Sequence, residues 1–262
     1  MVIHYNKMSP RTFWVQRYEI PYDKTNLDHL DYNISTAEIE WKDPHKHDAM
    51  EEYWFVMSGG MRIYQADVTT EVGADALIIH EREVYHRMEC DDRCEWLCMA
   101  FSNRFADGMK KIREEKGAYG KHDSFVAPVS RTILTSADLP PMEDHGCQRF
   151  PTDKSIRDLD HWDINTWKPN RIWKPGHKHD DMEEYWYILE GRARVFQGEG
   201  DAEQMYEVAP HDFIIHPPGV THRMETDEVG CKWCCIMFNN LLAEPLKDLL
   251  SRQFKERLAN AG

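Results

Sequence analysis

Alternating apolar positions dominate the chain. CEWLCMAF (94–101) and CKWCCIMF (231–238) place Cys94, Trp96 and Cys98, and likewise Cys231, Trp233 and Cys235, on one side of an extended strand. EYWFVMS from Glu52 and EYWYILE from Glu184 are aromatic-rich runs that stop at Gly59 and Gly191. Other short apolar segments follow, separated by Gly, Pro and Asp. Only 103–117 (NRFADGMKKIREEKG) and 240–254 (NLLAEPLKDLLSRQF) read as amphipathic helices, with Pro245 suited to a first helical turn. The pattern predicts an all-β protein of two units, each a sandwich or barrel followed by one helix.

The two units are copies of one module. Gln16-Arg17-Tyr18 matches Gln148-Arg149-Phe150, and the spaced residues Leu27, Asp28, His29, Asp31 and Asn33 match Leu159, Asp160, His161, Asp163 and Asn165. Trp41-Lys42 matches Trp173-Lys174, at the same offset of 132 residues. The second copy gains four residues after Gln197. The match then resumes in VGADALIIH and VAPHDFIIH, which end at His80 and His216. Residues 118–147 break the periodicity and read as a linker with one strand in VSRTIL (129–134). The expected division is an N-terminal unit over 1–127 and a C-terminal unit over 128–262.

Composition narrows the class. Apolar residues make up 41% and charged residues 30%, as in a soluble globular protein. A net charge of -14 opposes binding to nucleic acid and to anionic membranes. No apolar run approaches the ~20 residues of a membrane helix, and the first residues lack a secretory pattern. A cytosolic location is expected. The seven cysteines are odd in number and sit mostly in strand patterns, so they read as buried thiols.

The repeated string HKHDAMEEYWFVMSG, from His45, and HKHDDMEEYWYILEG, from His177, carries the candidate chemistry. Residues two apart on a strand face one way, so His45 and His47 project together, as do His177 and His179. A short turn then returns a glutamate to the same point. Glu51 or Glu52, and Glu183 or Glu184, could supply it. The second of each pair, seven residues before Gly59 and Gly191, is chosen by spacing. His86 and His222 from a distant strand complete each set. Packing alone does not explain eight such residues in two equivalent quartets. Three imidazoles and one carboxylate suit Mn, Fe, Co, Ni or Zn, and leave positions open for chemistry. The residual positive charge favours an anionic ligand.

The spacing HxHx4Ex6G in both copies resembles the first cupin motif, and Pro217, Gly219 and His222 resemble the second, PxGxxH. The chain is thus similar to a bicupin. The resemblance implies two tandem jelly-roll β-barrels, each around one divalent transition metal, with Mn or Fe favoured. It also implies barrels that pair, as a homodimer or within one chain. The first copy departs from the second motif: Glu81, Arg82 and Glu83 stand where the other copy has Pro217, Pro218 and Gly219. A differently built turn at His86 is expected there.

Arg62 and Arg194 lie three residues after the motif glycines. In the germin and oxalate decarboxylase branch an arginine at that place helps hold a substrate carboxylate, so both are candidate catalytic residues. The Ser-Glu-Asn tripeptide of the decarboxylase lid is absent. His216, six residues before His222, is a candidate proton shuttle, and His80 is its counterpart. His29 and His161 read as structural. The resemblance implies an enzyme acting on a small anionic, oxygen-rich metabolite such as a carboxylate or enol, by dioxygenase, decarboxylase or isomerase chemistry. The alternative is a non-catalytic metal-dependent binding or sensing protein.

Overall fold

The computed structural model describes residues 1–5, 15–20, 25–37, 43–47, 51–101, 131–142, 146–153, 157–179 and 183–238. The two expected helices, 103–117 and 240–254, lie outside them. The described residues are predominantly strand. Among them no helix is long and apolar enough to cross a membrane.

The N-terminal half contributes β1 (Val2–Ile3), β2 (Val15–Arg17), β3 (Leu27–Ser35), β4 (Glu52–Ser58) and β5 (Gly60–Gln65). It continues with β6 (Val68–Gly73), β7 (Ala76–His80), β8 (His86–Glu89) and β9 (Cys94–Phe101). A short β10 (Ile133–Leu134) falls within the predicted linker strand. The C-terminal half holds β11 (Cys147–Arg149), β12 (Leu159–Trp167), β13 (Glu184–Gln197), β14 (Gln204–Val208), β15 (Phe213–His216) and β16 (His222–Phe238).

These strands build two jelly-roll barrels. In the first, a sheet of order β10-β7-β4-β9-β3-β2 faces a smaller sheet of order β6-β5-β8. In the second, β13 and β16 are long enough to run through both layers, so one sheet of order β1-β15-β13-β16-β12-β11, with β14 on β13, encloses the barrel. The motif glycines make the corner between layers. Gly59 and Gly191 adopt φ of 77° and 79°. A Cβ on either would stand 2.0 Å from a carbonyl oxygen, that of Arg93 or Gly230. No side chain fits there, and the left-handed backbone disfavours one in any case.

Each barrel has its own apolar interior, with Trp54, Val56, Ile63 and Trp96 in the first and Trp186, Ile188, Val195 and Trp233 in the second. The opposite faces of the large sheets meet in a third cluster that joins the halves. Tyr53, Phe55 and Phe101 from one side meet Trp162, Tyr185 and Phe213 from the other. Phe55 stacks on Trp162 at 5.5 Å, and Tyr18 meets Phe213 at 5.9 Å. The two barrels of one chain therefore pair through their outer sheets. Burial on both faces explains why β4 and the start of β13 are continuously apolar after the glutamate.

The halves also exchange their leading strands. β1 pairs with β15 of the second barrel (Val2↔Ile214), and β10 pairs with β7 of the first (Ile133↔Ile78). Ile78 and Ile214 are equivalent positions, so the exchange is reciprocal. The division expected at 127/128 cuts across it, because β1 completes the C-terminal sheet and β10 the N-terminal one.

Candidate metal centres

Each HxH segment is fixed by a bridge to the strand that carries the third histidine. His45 N donates to His86 O (3.1 Å) and His86 N to His45 O (2.8 Å), and His177 and His222 repeat both bonds at the same lengths. Glu52 opens β4 and Glu184 opens β13, so each carboxylate enters its barrel from the first strand residue. In the second barrel three imidazole nitrogens converge on one oxygen. His222 Nε2 lies 2.8 Å, His179 Nε2 3.1 Å and His177 Nε2 3.4 Å from Glu184 Oε2. In the first barrel His86 Nε2 lies 3.2 Å and His45 Nε2 4.0 Å from Glu52 Oε2, while His47 Nε2 lies 3.6 Å from Oε1. All eight predicted ligands thus fall into two quartets, and within each the donor atoms lie within 4.8 Å of one another.

The surroundings fit an ion. His222 Nδ1 is 3.0 Å from Val220 O and His86 Nδ1 is 3.0 Å from Val84 O. A carbonyl can only accept, so Nδ1 carries a hydrogen, and in the neutral ring Nε2 would be the nitrogen that offers a lone pair to an ion. The outer oxygen of Glu184 is held by Trp186 Nε1 (2.6 Å) and Cys235 Sγ (2.8 Å), which leaves Oε2 to the histidines. Burial alone would raise the Glu184 carboxyl. The three histidines outweigh it and hold the group well below the usual carboxylate range. Glu52 behaves alike: burial is outweighed by His29, His47 and His86. Both glutamates therefore stay anionic.

The rejected member of each Glu pair has another task. Glu51 and Glu183 point away from the quartets into the contact between barrels. Glu51 Oε2 accepts from Tyr53 OH (2.5 Å) and from Asp158 N (2.8 Å). Glu183 accepts from Thr25 Oγ1 (2.9 Å), Asn26 N (2.8 Å) and Tyr185 OH.

The turn at His86 is not built differently, contrary to the sequence expectation. Glu83 takes φ 62° where Gly219 has 74°. Each donates its N–H to the second histidine of the pair, Glu83 N to His47 O (2.8 Å) and Gly219 N to His179 O (2.7 Å). A left-handed glutamate costs about 1–2 kcal/mol. Its neighbours are engaged by the other barrel. Arg82 pairs with Asp158 and lies 3.6 Å from Glu51, and Glu81 accepts from Arg157 at 2.6 Å.

Arg62 and Arg194 do not reach the quartets. Met61 and Ile63 fill the first barrel, so Arg62 between them faces out, onto Glu89 (3.3 Å) and Asp91. Arg194 lies between buried Ala193 and Val195 and pairs with Glu225 at 3.1 Å. The cause is a register shift at each corner, between Val56 and Ser58, and between Ile188 and Glu190 and Gly191 and Ala193. It switches which parity points inward. Both guanidiniums are instead paired with acidic side chains.

His216 and His80 lie behind the third ligand of each quartet. His216 stacks on His222 with centroids 4.0 Å apart, and Gln197 Nε2 lies 2.8 Å from its Nδ1. His80 stacks on His86 at 3.9 Å, with Gln65 Nε2 at 3.0 Å. Burial lowers both imidazoles well below their ordinary range. Each ring packs directly behind a ligand ring.

A further layer escaped the sequence reading. Cys235 donates to the second-barrel glutamate, and Cys98 Sγ lies 3.0 Å from Glu52 Oε1 in the first barrel. His29 Nε2 is 3.5 Å from the same Oε1, while His161, Asp163 and Cys235 gather behind Glu184. Asp163 is clamped by Arg149 at 2.7 and 2.8 Å, as Asp31 is by Arg17 at 2.8 Å. The repeated Gln-Arg and Leu-Asp-His segments carry this layer, and their recurrence was its available signal. In the second barrel it opens on a cavity of about 460 Å³ whose lining includes His177, His179, Glu184, Arg149 and Lys174.

Residues 164–237, which hold His177, His179, Glu184 and His222, match the Cupin_2 family model, described as a cupin domain. The second barrel is therefore similar to a cupin domain. Solved oxalate decarboxylases superpose along most of the chain. A Bacillus subtilis oxalate decarboxylase studied for its Mn(II) centres aligns with TM-score 0.69 at 14% identity, over 92% of this chain and 77% of that one. A Lactobacillus farciminis oxalate decarboxylase in a formate complex aligns with TM-score 0.65 at 15% identity, over 92% and 86%. At such identity the likeness is one of fold. Comparison with curated protein sequences gave no match.

Proposed function

We propose that this chain is a bicupin and a metal-dependent enzyme whose main active site is the second barrel, acting on a small oxygen-rich carboxylate or enol. The observation that carries the reading is the convergence of three imidazole nitrogens on Glu184 Oε2 at an open cavity. His177, His179, Glu184 and His222 would hold a divalent ion there, and His45, His47, Glu52 and His86 a second. Three imidazole nitrogens and one carboxylate suit Mn or Fe, and also admit Co, Ni or Zn. When bound, the ion supplies Lewis-acid polarisation of substrate oxygens. Trp186 and Cys235 orient Glu184, and the carbonyl of Val220 orients His222. Arg149, held in place by Asp163, and Lys174 offer positive charge to a substrate anion. The aligned decarboxylases support small-carboxylate chemistry but do not fix the reaction.

The test is elemental analysis of the full chain purified without added metal, followed by turnover assays with carboxylates and enols. Content near two equivalents of transition metal, with metal-dependent turnover, is expected. Less than about half an equivalent per chain would sink the reading. Oxygen uptake then separates dioxygenase chemistry from redox-neutral chemistry. A metal-loaded chain that binds ligand without turnover would instead be a sensor.

A second prediction concerns Cys235. Outer partners of a ligand typically contribute 10–100-fold to metal affinity. Cys235→Ala removes a donor to Glu184 and is expected to weaken metal binding by about that factor, while Cys235→Ser, which keeps a donor, restores most of it. Chelator competition measures the change. Equal affinity in wild type and Cys235→Ala would show that the thiol merely packs.

A further inference from the structure

We infer that the second-barrel cavity selects an aromatic carboxylate over a two-carbon diacid. This rests on the proposed reading of that barrel as the substrate site and names the ligand class.

The cavity walls are indoles. Trp167, Trp173, Trp186 and Trp233 all line it, with Ile172 at the rim. The wall is locked by ring contacts. Trp167 meets Trp233 edge-on at 5.1 Å and 89°, and Trp173 at 5.5 Å. Trp173 stacks on the His177 ring at 4.5 Å and 24°, so aromatic surface reaches the metal quartet itself. A fixed wall of this kind stacks a planar ring at little ordering cost. Size agrees. The volume of about 460 Å³ falls within the roughly 300–1,000 Å³ of pockets that enclose ring-bearing ligands. A two-carbon diacid would leave most of it to water.

Cations supply the rest. Arg149 is half-exposed and clamped by Asp163, so part of its guanidinium faces the cavity without needing to be ordered. Lys174 stands exposed at the rim, and Arg171 lies 4.6 Å over the Trp167 ring. The complementary ligand has a flat apolar body and a carboxylate. The first copy has Ser35 where the second has Trp167, and Val15 where it has Cys147. Ser35 is buried, and its hydroxyl accepts from Trp96 Nε1 at 2.9 Å. The wall residue is thus particular to the second barrel.

The test is titration calorimetry on the metal-loaded full chain with 2-hydroxybenzoate, cyclohexanecarboxylate and oxalate, metal content being measured on each sample. 2-Hydroxybenzoate is expected to bind about tenfold or more tighter than either of the others. Cyclohexanecarboxylate matches its bulk and charge without the π face, so equal binding of the two, or tighter binding of oxalate, overturns the inference. Trp167→Ser, which installs the first copy's residue, should weaken 2-hydroxybenzoate about tenfold and leave oxalate and metal content unchanged. If that variant does not fold, Ile172→Glu at the exposed rim serves. It should weaken 2-hydroxybenzoate several-fold at low salt, and unchanged affinity would place the ligand elsewhere and overturn the inference. A chain without metal that keeps the ligand ranking would remove the metal reading alone. Metal-loaded protein with the ranking reversed would remove this inference alone.

Discussion

Replacing Glu184 with glutamine is expected to strip the second barrel of metal, lowering the content of the full chain by about one equivalent and abolishing turnover. Glu184 Oε2 is where the three histidine nitrogens meet, while Oε1 accepts from Trp186 and Cys235. A carboxylate can accept on both sides at once, and an amide cannot. Glutamine must turn its NH₂ either toward the metal or toward two donors. Either choice leaves a clash of like groups in a buried site, and the negative charge is lost as well. The drop in metal affinity should exceed the 10–100-fold usual for outer partners. Glu52→Gln provides the comparison. It should remove the other equivalent and leave turnover largely intact, because the first quartet is looser, with His45 and His47 at 4.0 and 3.6 Å from its carboxylate. Metal analysis with steady-state rates on both variants decides. A Glu184→Gln protein that keeps full metal and rate would end the assignment of this site.

Much of the architecture was legible because it is local. The spacing from His177 to Gly191 encodes a strand pair, an inward carboxylate and a corner that only glycine can occupy, and all three appear in the fold. The choice of Glu52 and Glu184 over their neighbours was legible for the same reason: the spacing to Gly59 and Gly191 picks one glutamate of each pair, and alternation then sends its neighbour out of the barrel. What was not legible is what alternation cannot carry across an irregularity. The register shifts at Val56–Ser58 and around Gly191 reverse the inward parity, and so turn Arg62 and Arg194 to the outside. Contacts between distant segments were also hidden. Nothing near Val2 or Ile133 announces that each pairs with the other half. Cys98 and Cys235 read as packing thiols because their oxygen partners lie some 50 residues away, at separations of 46 and 51.

The departure of the first copy from the second motif leads to the other large prediction. The substitution of Glu81-Arg82-Glu83 for Pro-Pro-Gly pointed to a differently built turn, yet the turn is kept and charged side chains serve the contact between barrels. Arg82 pairs with Asp158 and lies 3.6 Å from Glu51, and Arg157 lies 3.5 Å from Glu51 and bonds Glu81 at 2.6 Å. Glu51, Arg157 and Asp158 are all buried. Within this group Arg82→Ala leaves two buried carboxylates against one guanidinium. Breaking a buried ion pair from one side costs about 3–5 kcal/mol, so a stability loss of that size is expected. The mirror position argues that the charge and not the contact is decisive. Glu183 is served there by Thr25, Asn26 and Tyr185, and its carboxyl is raised by burial. Thr25→Val should therefore cost only about 1–3 kcal/mol, the penalty of one lost hydrogen bond to a buried group. Combining Arg82→Met with Asp158→Asn removes one charge of each sign and should recover most of the loss. Chemical denaturation of the three variants measures these differences. An Arg82→Ala protein within about 1 kcal/mol of wild type would mean that solvent already screens the group, and that the first barrel replaced its glycine without a compensating contact.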